Sequence, residues 1–132
     1  MKLRKGIVAV MLLAMFLASG AVALRAADQT ATVKGWVLDS ACAFTHNLKK
    51  PISSECAVKC AKNGSPLVIL TDAGTIYWPI SGEMPATSQN DRLMEYAGKR
   101  VSATGKVFAK GGSHGIVIEK IDEAPAAKPA TK

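Results

Sequence analysis

Cys42, His46, Cys56 and Cys60 fall within 19 residues as C-x3-H-x9-C-x3-C, a window that holds all three cysteines of the chain and one of its two histidines. The set divides into two pairs, each with i,i+4 spacing. On a helix such residues share a face, with Cβ atoms about 5–6 Å apart. Two pairs can therefore bring four nitrogen and sulfur donors together, which is the requirement of a closed tetrahedral zinc site. Soft thiolates also suit Cu(I). Asp39, three residues before Cys42, can orient a ligating His46 by a hydrogen bond or satisfy backbone N–H groups where a strand turns.

The same residues admit two other chemistries. An odd number of cysteines in an exported chain also fits one disulfide plus one free thiol. Cys56 and Cys60 are poor partners on a regular helix, because a bridge needs Cβ atoms roughly 3.5–4.5 Å apart. A bridge from Cys42 to Cys56 or Cys60 would close a short loop and contribute about 3 kcal/mol in the chain-entropy model. A redox-active thiol is the third reading, without the C-x-x-C spacing and βαβ context that would support it. There is no C-x-x-C-H for covalent haem, no paired carboxylates and no nucleophile–base–orienter set. These absences point to a binding module rather than an enzyme.

The chain must be shortened before its fold is read. Lys2, Arg4 and Lys5 form a basic start, residues 7–19 an apolar run, and Ala21-Val22-Ala23 a small–x–small cleavage pattern. Residues 1–23 thus read as a signal peptide, which places the mature protein in the periplasm or outside the cell, with no membrane span left after cleavage. Without the leader the formal charge of +7 falls to +4. Lys and Arg are scattered, so nucleic acid is a poor candidate partner. Residues 24–29 read as a linker and 122–132 as a disordered tail rich in Ala, Pro and Lys. Between them, 30–121 is one domain, small enough to benefit from a staple.

Within that domain, 30–39 reads as a strand with a bulge or bend at Gly35. Residues 40–51 read as a loop or single helical turn, and 53–63 as a helix capped by Ser53 or Ser54 and closed by Gly64. Runs 66–71 and 75–80 are β-rich and flank Asp72-Ala73-Gly74, a hairpin signal. A second short helix spans 91–97, with Asn90 as its cap and Gly98 at its end. Residues 100–109 and 115–121 are the last two strands, turned by Gly111-Gly112. Five strands with a helix between the third and fourth predict a mainly β fold. It is a small five-stranded OB-like antiparallel barrel with two short helices, the Cys/His segment 40–64 being an insertion between the first two strands. A small antiparallel sandwich is the competing architecture.

Gly35 to Cys42 (G-W-V-L-D-S-A-C), Cys56 to Cys60 (C-A-V-K-C), Gly64 to Leu67 (G-S-P-L) and Tyr96 to Val101 (Y-A-G-K-R-V) together resemble a group of short exported bacterial proteins. The resemblance implies an OB-like barrel and similar domain limits, and it brings no activity with it. A further possibility comes from the aromatics. Trp36, Tyr77 and Trp78 lie on predicted strands, and OB barrels stack oligosaccharides or nucleic-acid bases on a strand face. Tyr77 and Trp78 must point to opposite faces, so the expectation is that Trp36 and one of that pair belong to the core. The best-specified ligand remains a transition metal, zinc or copper, at Cys42, His46, Cys56 and Cys60.

Overall fold

The computed structural model describes residues 29–45 and 53–125. Residues 1–28, 46–52 and 126–132 lie outside the described residues, and with them the expected signal peptide, His46 and most of the expected tail. Five strands form a closed barrel: β1 (Gln29–Asp39), β2 (Leu67–Thr71), β3 (Ile76–Pro79), β4 (Arg100–Lys110) and β5 (Ser113–Glu123). The first and last strands begin and end slightly outside the expected 30–121 limits.

The order around the barrel is β1-β2-β3-β5-β4, with β4 returning to β1. Every pairing is antiparallel except β3 with β5, which run parallel. This is the small five-stranded OB-like barrel that the element order predicts. The 11-residue β1 carries the closure, its first part pairing with β4 and its last part with β2. Gly35 belongs to both ladders, opposite Thr71 and Val101. A Cβ there would stand 2.5 Å from the Leu70 carbonyl oxygen, so the close strand approach requires glycine. The bulge expected at Gly35 is elsewhere: β1 pairs without interruption, and the irregularity falls at Thr104/Gly105 in the β4–β5 ladder.

Alternation along the long strands fills the barrel. Val33 and Val37 of β1, Val101 and Ala103 of β4, and Ile116 and Ile118 of β5 point inward, joined by Leu67 and Ile69 of β2. The intervening residues Val68 and Leu70 face the other way and are also buried. They form a second cluster with Leu38 and Ala43, flanked by Trp36, Ile76 and Trp78. Trp36 therefore packs outside the barrel rather than in its core, while Tyr77 is the aromatic that packs against the interior.

Among the described residues, three short helices accompany the barrel: α1 (Ser40–Thr45), α2 (Ser54–Lys62) and α3 (Asn90–Leu93), the last continuing as a 3-10 turn over Met94–Tyr96. No helix among the described residues is long and apolar enough to cross a membrane. Asn90 does not cap α3, whose N-cap is Gln89 without a side-chain bond. Its amide instead reaches across to the chain between α2 and β2. Oδ1 accepts from Leu67 N at 2.8 Å, and Nδ2 donates to the carbonyls of Ser65 at 2.9 Å and Ala61 at 3.3 Å.

Candidate functional site

The cysteines are carried by α1 and α2, and both helices are held by the barrel rather than by their own length. Helices this short are marginal on their own. α1 begins where β1 ends, and Ser40 N donates to Pro66 O at 2.8 Å, tying that corner to the start of β2. Ala43 turns into the outer cluster, while Phe44 is exposed and lies 6.3 Å from the Trp78 ring. Cys42 is half-buried beside them.

α2 is capped as its sequence predicts. The Ser53 side chain accepts from Cys56 N at 3.1 Å. At the other end, Ser65 N bonds to Cys60 O and Gly64 N to Ala61 O, both at 3.0 Å, a Schellman-type closure. Ala57 and Ala61 are buried in the barrel cluster with Leu93 and Ala97, and their small side chains let the helix lie close. Ser54 Oγ donates to Ala97 O, and a Cβ on Gly98 would overlap Ser54, 2.5 Å from its Cα. Gly98 also has φ of +77°, which disfavours any side chain. With one face so fixed, Cys56 is exposed and Cys60 half-buried.

Asp39 is the centre of the arrangement. It is the last residue of β1 and the one buried charged side chain among the described residues, with no measurable exposure. Its Oδ1 accepts from Cys42 N at 3.2 Å and from Ser65 Oγ at 3.4 Å. Its Oδ2 is sealed from solvent without a hydrogen-bond partner of regular geometry. The ion pairs of the described residues are Lys99–Glu123, Arg100–Asp72 and Lys120–Asp122, and none involves Asp39.

Two of the three thiols feel this carboxylate. Cys42 is pushed up to about 12, first by its hydrogen bond to Asp39, then by burial, and then by the charge of Asp39 and the neighbouring Cys56. Cys60 is also raised, first by burial and then by the charge of Asp39 and by Cys56. Asp39 thus neighbours Cys42 and Cys60, and Cys56 neighbours the same two. Among the described residues, no three His, Cys, Asp or Glu side chains are placed to hold a metal ion. All three cysteines are free thiols.

Of the four residues expected from sequence, Cys42 and Cys60 each feel Cys56, and His46 lies outside the described residues. The residue that spacing alone undervalues is Asp39. It does satisfy a backbone N–H in the turn, as an Asp ending a strand commonly does, but it is also buried and raises two of the thiols. The sequence signal that could have found it is its offset of three residues from Cys42. The other histidine, His114, is on β5 and half-buried, with its ring 5.3 Å from that of Tyr77.

No known protein family, curated protein or solved structure matches the chain. The site is therefore read from its own chemistry. Cys42 and Cys60, raised beside the buried carboxylate, are held as thiols and are poor nucleophiles.

Proposed function

We propose that this protein is a small exported module that binds a transition metal, zinc or copper, through the thiolates of Cys42, Cys56 and Cys60. The observation that carries the reading is a buried carboxylate, without a cationic partner among the described residues, that bonds Cys42 N and raises the thiols of Cys42 and Cys60, which come from two separate helices. An isolated ionised carboxylate is costly to bury. Cys42 and Cys60 beside it are raised and stay protonated, which is unfavourable for redox exchange. A metal reverses both effects, because it deprotonates coordinating thiols outright. The fourth coordination position is open to a donor near α1, where the sequence offers His46. Export follows from the leader-like residues 1–23 and is part of the same proposal.

The competing reading is a disulfide-stapled module. The influence of Cys56 on the Cys42 thiol, from a different helix, is what favours it. One sample separates the two. The mature chain is isolated without chelators, weighed by native mass spectrometry, and its reactive thiols are counted before and after metal removal. The metal reading expects one metal per chain and thiols that label only once the metal is gone. A metal-free chain lighter by two hydrogens, with a single labelled thiol, would establish the staple instead.

A further inference from the structure

We infer that the outer wall of the barrel, over β3, β5 and the end of β4, is a docking surface for an anionic lipid bilayer. Trp78, Ile80 and Phe108 enter the interface, and Lys106 and Lys110 meet the headgroups. The surface needs no metal and is independent of the cysteine corner's role.

Tyr77 and Val107 pack against the barrel interior, so alternation turns Trp78 of β3 and Phe108 of β4 to the outside. Both stand opposite Gly115 of β5, one on each side, and so about 10 Å apart across the three strands. Gly115 puts no side chain between them, and Ile80 leans over it: a Cβ there would lie 3.2 Å from Ile80 Cδ1. Phe44 continues the line beyond Trp78, with ring centres 6.3 Å apart. Phe44, Ile80 and Phe108 are three of the four large hydrophobic side chains exposed among the described residues. Scattered singly they would need no explanation, but joined in one strip they mark a contact surface.

Charge identifies what the strip meets. Lys106 and Lys110 flank Phe108 on the same face of β4, and both are exposed. The runs that build the strip, 40–45, 76–80, 106–110 and 113–117, contain no Asp or Glu. The acids nearest them in sequence are the buried Asp39, Asp72 paired with Arg100, and Glu83 and Glu119 beyond the ends of the runs. A basic aromatic strip without acids complements an anionic partner. An oligosaccharide fits less well, because its hydroxyls need carboxylate or amide partners, and these runs hold no Asp, Glu, Asn or Gln. A soluble polyanion would engage the lysines and leave Ile80 and Phe108 in water. A bilayer uses both, since aromatic rings sit at headgroup level and lysine stems lie along apolar surface with their charge in water.

The test floats the mature chain with vesicles of equal parts phosphatidylglycerol and phosphatidylcholine, against vesicles of phosphatidylcholine alone. Binding to the anionic vesicles should be about thirtyfold tighter, the effect of two lysines at about fivefold each near a charged surface, and it should weaken with salt. Tryptophan emission should move to the blue as Trp78 leaves water. The double variant Lys106→Gln, Lys110→Gln changes only exposed side chains and should lose the preference for anionic vesicles. Phe108→Ser should release the protein from the vesicles at unchanged circular dichroism. Should Phe108→Ser not fold, Ile80→Thr takes its place. Wild type that floats equally with both vesicles, or with neither, overturns the inference. So does undiminished binding by the lysine pair or by the folded Phe108→Ser variant. Heparin binding as tight as vesicle binding would give the surface to a soluble polyanion. A dimer in sedimentation velocity that Phe108→Ser dissociates would give it to a second copy of the chain. Either result also overturns the bilayer assignment.

Discussion

The barrel interior and the cysteine corner share β1 and β2 but are built on opposite terms. Inside, Val37, Ile69, Val101, Ile116 and Leu93 are fully buried apolar side chains within strand ladders and a capping helix. At the corner, the fully buried side chain is a carboxylate with an unpartnered oxygen, covered by a helix of six residues and another of nine. An unsatisfied buried acceptor costs about 1–3 kcal/mol. The interior obeys the rules of a stable core, whereas the corner breaks them in one place, and such breaks concentrate where proteins function. The two regions should therefore respond to different insults.

The widest separation is expected from Ile69→Ala. It removes a side chain at the centre of the barrel and should lower unfolding free energy by about 2–5 kcal/mol, read from urea denaturation. Metal uptake by the folded fraction should be unchanged. If the variant loses metal in proportion to stability, the two regions are not separate. The reciprocal experiment adds zinc. At free metal 100-fold above its dissociation constant, stability should rise by about 2.7 kcal/mol, and chelation should abolish the gain. An equal gain in a variant with all three cysteines replaced by serine would show that the ion acts elsewhere.

Asn90→Ala probes the join between the regions. It frees Leu67 N and two carbonyls at the exit of α2, and a cost of about 2 kcal/mol is expected. Hydrogen exchange should quicken first at Leu67 and along α2 rather than in β4 or β5. The gentlest test is pH. Cys42 is raised from 9.0 to about 12 in the folded protein, so folding favours its protonated form. That contribution is complete below pH 9 and is lost as pH climbs toward 12. Metal-free protein should show a declining denaturation midpoint above pH 9, and Asp39→Asn should flatten the decline by removing the first cause of the shift.

Much of the fold can be read from the residues themselves. The alternation in 100–109, the Asp72-Ala73-Gly74 turn, the Ser53 cap and the break at Gly98 each act locally, so the chain declares them. What escaped depends on distant partners. Asn90 stands where a cap belongs, but its amide is drawn off by carbonyls more than twenty residues away. The parallel β3–β5 pairing is set by barrel closure and leaves no mark in either strand. At the site, cysteine spacing pointed to the thiols, while the burial of Asp39 depended on α1 and Ser65 closing over it.

β2 has a consequence for how the chain finds its fold. Leu67-Val68-Ile69-Leu70 is apolar at every position and buried on both faces, so sliding it by one residue would turn no polar group inward. Most half-buried strands are protected from such slippage by alternation, and this one is not. Its alignment must be read from outside. Gly35 forms a notch that receives the Leu70 carbonyl, and the Asn90 side chain grips Leu67 N, two stops that mark opposite ends of the strand. Mutations at either stop would therefore favour misaligned, aggregation-prone species during folding, and the harm would show in refolding yield more than in the melting temperature of the molecules that fold correctly.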